Sequence, residues 1–317
     1  MAFKQFLQGL FERVGLAEPP APQPQAADVP LADPQQLRPI FSRLAVWGVK
    51  QVHLIAGDEP QADDLVQAAR QAVQLGIRVS VRGLASDLAS GKLLSDLADD
   101  HGYMVPGVRE IEVPFLSAIG EVHDALAGAG DYRGALRAMD TLANLKLPLA
   151  VQIVLVPSTW KTIERTLQLL EDRQVREIRL FAIACRDNEP SNWAISASEL
   201  VTAARWIEQQ ASSHFNVTWY PPLKFDPLRT LAQQVRRGPR AAMDAVRIEP
   251  DGRVIPPVGP AVSGGNMLQA DWKPIARSEV FRTWKQRRKA AVRCAECPGL
   301  AGCGEGCLRD AANWSEG

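Results

Sequence analysis

The sequence predicts an α/β chain in which repeated strand–helix units build a parallel sheet or barrel, followed by a small cysteine-rich domain. Three observations lead there. Short β-rich runs recur roughly every 25 to 40 residues, with helix-forming sequence between them. A hairpin signal interrupts that alternation near residue 244. Four of the five cysteines then fall within fourteen residues near the C-terminus.

Residues 2–16 place Phe3, Phe6, Leu7, Leu10, Phe11 and Val14 at helical spacing, so an amphipathic helix is expected over 1–17. It is either a docking element for a partner or a cover for an open edge of its own domain. Residues 18–32 read as a linker, because Glu18–Pro30 holds five prolines and no packing pattern. Asp33 and Pro34 form an N-cap and first-turn pair that opens a helix running to about Trp47. Strands are expected at Val52–Ile55, Ile77–Val81, Ile111–Phe115, Val151–Val156 and Ile178–Ile183, with helices such as Asp63–Leu75 and Thr162–Glu171 between them. Such βαβ units leave their ligand sites at the carboxyl ends of the strands. A domain boundary is placed near residue 240, giving a barrel over 33–240 and a cysteine-rich domain over 241–317. In the latter, Asp251-Gly252 between two short apolar runs predicts a hairpin. A helix is expected from about Ser278 to Ala291.

Composition narrows the function. Among the 317 residues, 36 Lys+Arg balance 36 Asp+Glu, so no whole-molecule field attracts nucleic acid or anionic lipid. The longest apolar stretch, near Leu147–Val156, is far short of the roughly 20 residues that span a bilayer. No cleavable signal pattern opens the chain, so a cytoplasmic protein is expected. The run Arg282, Lys285, Arg287, Arg288, Lys289 and Arg293 reads as a solvated helix face, or else a local patch for phosphate or an acidic partner.

The cysteine segment has the spacing C-x2-C-x5-C-x3-C, formed by Cys294, Cys297, Cys303 and Cys307. Gly299, Gly302, Gly304 and Gly306 tolerate the turns that wrap a chain around a metal. Four thiolates suit either an iron–sulfur cluster or zinc. Two C-x2-C knuckles, the usual zinc pattern, are not present, which favours iron–sulfur mildly. Cys185 stands apart at a strand end and reads as a small buried residue. His53, His101 and His123, with carboxylates near strand ends, would be the candidates for acid/base work, but no nucleophile–base pair stands at a recognisable spacing.

With these residues in place, the sequence resembles the radical S-adenosylmethionine (radical SAM) proteins that carry a SPASM domain, over about residues 33–310. C-x2-C-x5-C-x3-C is similar to that family's auxiliary-cluster motif. VRIEPDGRVIPP and Gly265-Asn266-Met267 resemble its hairpin and "GNi" elements. QVHLIAGDEP resembles the strand ending in "GGEP", VRGLAS stands where "TNG" is expected, and EVHDALAGAGDYRGALRAMDTL is similar to its "hD-lrG-g-f-al-ai-L" segment. The resemblance implies a partial (βα)6 barrel with a SPASM-like lobe.

The departures carry as much information. The family's C-x3-C-x2-C, whose thiolates hold the SAM-cleaving cluster, has no counterpart here. The proline-rich linker stands where the first strand is expected, which leaves that strand to another chain, to residues 1–30 or to nothing. An eroded SAM-binding turn falls on Gly57, Asp58 and Glu59, Arg82 replaces the asparagine of "TNG", and Pro114 replaces a serine ligand. The resemblance also implies further cluster ligands at about Pro257 and Ala270, where no cysteine stands. A catalytically degenerate homologue is therefore expected, with SAM binding not expected and one auxiliary site, a single 4Fe-4S cluster or alternatively zinc, on Cys294, Cys297, Cys303 and Cys307. It would act as a binding or partner subunit, beside an intact radical SAM enzyme, on a peptide, protein or small-molecule substrate, or as a homodimer. The alternatives are a redox or acid/base enzyme using the cluster, and a structural zinc protein.

Overall fold

The computed structural model describes residues 23–55, 62–83, 107–189, 191–211, 214–238, 241, 245–289 and 307–316. The alternation expected from the sequence is there. In chain order it runs β1 (Ala26–Pro30), α1 (Pro34–Val46), β2 (Gln51–Ile55), α2 (Ala62–Gln74), β3 (Arg78–Arg82), β4 (Val108–Pro114), α3 (Gly120–Ala127), α4 (Asp131–Asn144) and β5 (Leu149–Leu155). It continues through α5 (Pro157–Trp160), α6 (Ile163–Asp172), β6 (Glu177–Cys185), β7 (Ile195–Ser196), α7 (Ala197–Ala211), β8 (Asn216–Trp219), β9 (Leu223–Lys224) and α8 (Leu231–Arg237). A hairpin of β10 (Ala245–Ile248) and β11 (Arg253–Ile255) follows, with β12 (Gly265–Asn266), α9 (Trp272–Ala276) and α10 (Glu279–Lys289).

β1 through β6 lie in sequence order as parallel neighbours, the arrangement of a partial (βα) barrel. β7, β8 and β9 pair with β6 at one end of the sheet. At the other end β10 adds in parallel to β1, and β11 and β12 follow antiparallel.

One expectation is corrected. Residues 26–30 belong to the stretch read as linker, yet they form β1, the strand thought missing, with five register pairs to β2 and three to β10. The pairing edges on both sides supply what local propensity does not: every residue of AADVP except Pro30 is buried. Past residue 240 the sheet runs on, with β10 beside β1. Met267, Trp272, Ile275 and Phe281 share the core of the barrel helices, with the rings of Trp47 and Trp272 tilted at 55° and 5.4 Å between centres.

The period of two along each strand sorts side chains onto two faces. Val29, Val52, Leu54, Val81, Val113, Ile153 and Leu180 face the helices, where Leu37, Phe41, Ala69, Leu142 and Leu200 meet them. The concave face has a smaller apolar cluster of Leu116, Val154, Phe181, Ile183, Tyr220 and Leu223. Polar residues occupy the rest of that face.

Asp33 accepts a hydrogen bond from the backbone N–H of Gln35 at 2.8 Å, capping α1 as its sequence predicts. The Asp251-Gly252 hairpin is also in place. Gly252 sits at φ +85°, a left-handed conformation, and a Cβ there would lie 2.7 Å from Leu268 Cγ. No described helix is long and apolar enough to cross a membrane.

Candidate functional site: the concave face and the upper end of the barrel

The strand register brings charged side chains together on the concave face. Asp28, His53, Ser80 and Glu110 are successive neighbours across β1 to β4. Arg82 stands opposite Glu112, and Gln152 opposite Arg179. Side chains that point inward on a parallel sheet of this kind are enclosed by the barrel rather than by water.

Around Glu112 the polar groups close on one another. Its Oε1 accepts from Gln152 Nε2 at 2.8 Å and lies 3.7 Å from Arg82 Nη1, while its Oε2 accepts from the Tyr220 hydroxyl at 3.3 Å. The Arg82 guanidinium stands 5.7 Å from the centre of the Tyr220 ring. Arg82, Glu112 and Gln152 are all buried. Burial pushes the Glu112 carboxyl upward against the pull of Arg82 and Arg179. Burial, with the Glu112 charge beside it, holds the Tyr220 phenol well above its usual value. One layer further down, Arg179 reaches Glu110 at 2.7 Å and Glu177 at 3.1 Å. His53 lies within the field of both arginines; burial and those two cations lower it from 6.5 to about 4. The imidazole is therefore neutral at pH 7.

His123 has a different task. Its Nδ1 accepts from the backbone N–H of Leu116 at 3.1 Å, so its Nε2 carries the proton and donates to Asp131 at 3.0 Å. Both side chains are buried. Asp124 beside it accepts from the N–H groups of Gly130 and Tyr132, which fixes the start of α4. His-Asp at 123–124 thus ties the exit of β4 to the α3–α4 turn.

Of the positions singled out in the sequence, Gly57, Asp58, Glu59, Cys294, Cys297, Cys303, His101 and the 1–17 segment lie outside the described residues. Cys307 is described: a half-buried free thiol at the start of a docked segment, 307–316. Cys185 is buried at the end of β6, its sulfur 3.8 Å from the carbonyl oxygens of Ala194 and Ile195. Burial raises its thiol pKa. Arg82 stands at the end of β3 and Pro114 at the end of β4. Only three residues, Leu31, Ala32 and Asp33, join β1 to α1, and none is a cysteine.

A cavity of about 920 Å³ opens at the carboxyl ends of β6 and β9. Ala184, Cys185, Phe225 and Trp314 contribute apolar wall, and Arg186, Lys224 and Arg309 contribute cations. Its volume is at the upper end of ordinary ligand sites. Trp193 and Leu228, 62% and 93% exposed, lie two residues and one residue along the chain from the lining residues Ser191 and Pro227.

This architecture has known counterparts. The chain superposes on Streptococcus suis SuiB bound to S-adenosylmethionine with a TM-score of 0.61, covering 98% of this chain and 79% of that one at 8% identity. It superposes on anSMEcpe with bound AdoMet and the Cp18Cys peptide at 0.60, covering 92% of each chain at 12% identity. The complex of SuiB with its precursor peptide SuiA gives 0.60, covering 97% of this chain and 77% of that one at 10% identity. The chain shares the fold of these structures, as the resemblance to the radical SAM proteins implies. The sequence matches no family model and no curated protein.

The buried network on the concave face was not anticipated. Its signal was present: His53, Arg82, Glu110, Glu112, Gln152 and Arg179 interrupt apolar strands, and Glu110 and Glu112 are spaced by two.

Proposed function

We propose that this chain is a radical SAM/SPASM-like protein that does not cleave SAM and serves as a binding or partner subunit in the modification of a peptide or protein. The observation that carries the reading is the occupation of the concave face by the chain's own side chains. Glu112 accepts hydrogen bonds from Gln152 and Tyr220 and lies 3.7 Å from Arg82, so these side chains are engaged with one another on that face.

The β1–α1 connection supports it further. A SAM-cleaving cluster needs three thiolates and an open iron after the first strand, and Leu31-Ala32-Asp33 offers neither the ligands nor the length. The residues present do not fit that cluster, and no step is routed through SAM.

The cysteine segment does fit a metal. Four thiolates in C-x2-C-x5-C-x3-C match the donor set of a 4Fe-4S cluster, or alternatively of zinc, with Cys294, Cys297, Cys303 and Cys307 as ligands. Such a site would brace the C-terminal lobe. Anaerobic reconstitution is expected to give about four irons per chain; zinc alone would remove the iron–sulfur assignment.

The partner reading draws on the cavity, on the exposed Trp193 and Leu228 close along the chain to its lining residues, and on the peptides held by two of the matched structures, SuiA and Cp18Cys. The test is fluorescence anisotropy with a labelled precursor peptide encoded beside this chain's gene, together with co-elution of an intact radical SAM enzyme encoded there. Binding that Trp193→Ala and Leu228→Ser weaken at least tenfold is expected. The absence of both binding and co-elution would contradict the partner role.

A further inference from the structure

The cavity at the carboxyl ends of β6 and β9 has a neighbour. A second cavity, of about 320 Å³, shares Lys224, Phe225, Pro227 and Glu316 with it. From that shared stretch the larger cavity continues to Arg186 and Glu189 after β6, and the smaller one to Arg229 and Gln234. A ligand that fills both must cross the shared stretch, so its shape is that of an extended chain.

The charges along this path are of both signs. In the smaller cavity Arg229 is paired with Asp226 at 3.3 Å. Lys224 and Glu316 are exposed, and among the described residues no ion pair engages either of them. Two opposite charges thus line one passage without neutralising each other. The lining of the larger cavity as a whole carries three cations, Arg186, Lys224 and Arg309, and three carboxylates, Glu189, Asp310 and Glu316. A ligand of one sign alone gains at some of these groups and loses at others.

Backbone pairing is not what the shared stretch offers. Lys224 N–H donates to the Ser315 carbonyl at 2.9 Å, Phe225 N–H to the Ala184 carbonyl at 2.9 Å, and Glu316 N–H to the Gly259 carbonyl at 3.3 Å. These donors are already used, so an incoming chain is read there by side chains rather than by strand addition.

We propose that the two cavities form one groove for an extended peptide, and that Lys224 and Glu316 select a segment carrying a carboxylate and a cation close together. The carboxylate is set against Lys224 and the cation against Glu316. Half-buried Phe225 supplies apolar surface for a side chain beside that pair. The inference deepens the partner reading above and rests on it.

Fluorescence anisotropy on the full chain at low ionic strength tests it. The probes are four labelled peptides of one common sequence that differ only at two neighbouring positions, occupied by Glu and Lys, Glu and Glu, Lys and Lys, or Gln and Gln. The Glu/Lys peptide is expected to bind about threefold to fivefold more tightly than the others, a margin that shrinks as salt is added. Lys224→Glu is expected to turn the preference to the Lys/Lys peptide, and Glu316→Lys to the Glu/Glu peptide. Lys50→Glu, the same charge change at an exposed residue just before β2, is expected to leave the order as in the wild type. Equal binding of all four peptides, or an order that Lys224→Glu and Lys50→Glu shift alike, overturns the charge selection and leaves the partner reading standing. Binding of none of the four overturns the groove, while co-elution with an encoded radical SAM enzyme still decides the partner reading.

Discussion

Arg82 Nη1 lies 3.7 Å from Glu112 Oε1 on the concave face of the barrel, with both side chains more than nine-tenths buried. Neither charge reaches bulk water, so each depends on the other and on Gln152 and Tyr220. Removing one partner strands the other.

Arg82→Met is therefore expected to cost about 3–5 kcal/mol, since it leaves the Glu112 carboxylate buried with its main counter-charge gone. The double variant Arg82→Met/Glu112→Met removes both charges and should recover much of that loss. Urea unfolding midpoints at constant m-value measure it. A double variant as unstable as the single would show that the pair does not act as a unit.

His53 gives the fold a pH dependence of definite sign. Its ring is lowered from 6.5 to about 4. Below pH 6.5 the unfolded chain takes up a proton that the folded chain refuses until about pH 4, so its contribution is lost as pH falls through that window, by at most about 3 kcal/mol. Glu110 and Glu112, raised above 4.5 by burial, work in the opposite direction, because the folded chain protonates them first. The difference between the wild type and His53→Gln isolates the histidine. Unfolding midpoints followed from about pH 7 to pH 4.5 should fall more steeply in the wild type.

These groups also show how much of the molecule the sequence disclosed. The βαβ alternation, the Asp33 cap and the Asp251-Gly252 hairpin were legible because local chemistry determines each of them. β1 was not. Ala26-Ala27-Asp28-Val29-Pro30 has weak strand propensity and follows four prolines, and it becomes a strand through pairing with β10, more than two hundred residues later. The network around Glu112 was half legible. Charges inside apolar strands were visible, but the face they share follows from register, and Tyr220 joins from beyond β8.

His123 is expected to act through structure alone. His123→Asn removes the acceptor of the Leu116 N–H and the donor to Asp131, and should cost about 2–4 kcal/mol. Thermal unfolding measures the loss. Peptide affinity, read on the folded fraction, should stay within twofold; a selective loss of affinity would instead place His123 at the binding site.

Gly252→Ala should destabilise by about 1–3 kcal/mol, because the left-handed backbone and the Leu268 side chain both oppose a Cβ there. A thermal midpoint unchanged from wild type would show that the hairpin relaxes freely.

The central claim is that a barrel of the radical SAM kind has given up SAM cleavage, its concave face filled by Arg82, Glu112, Gln152 and Tyr220 and its first strand leading into α1 through Leu31-Ala32-Asp33. The most direct measurement is 5′-deoxyadenosine formation by the iron- and sulfide-reconstituted chain, incubated anaerobically with SAM and a strong reductant. The account predicts none above the protein-free background; turnover that depends on the protein would contradict it.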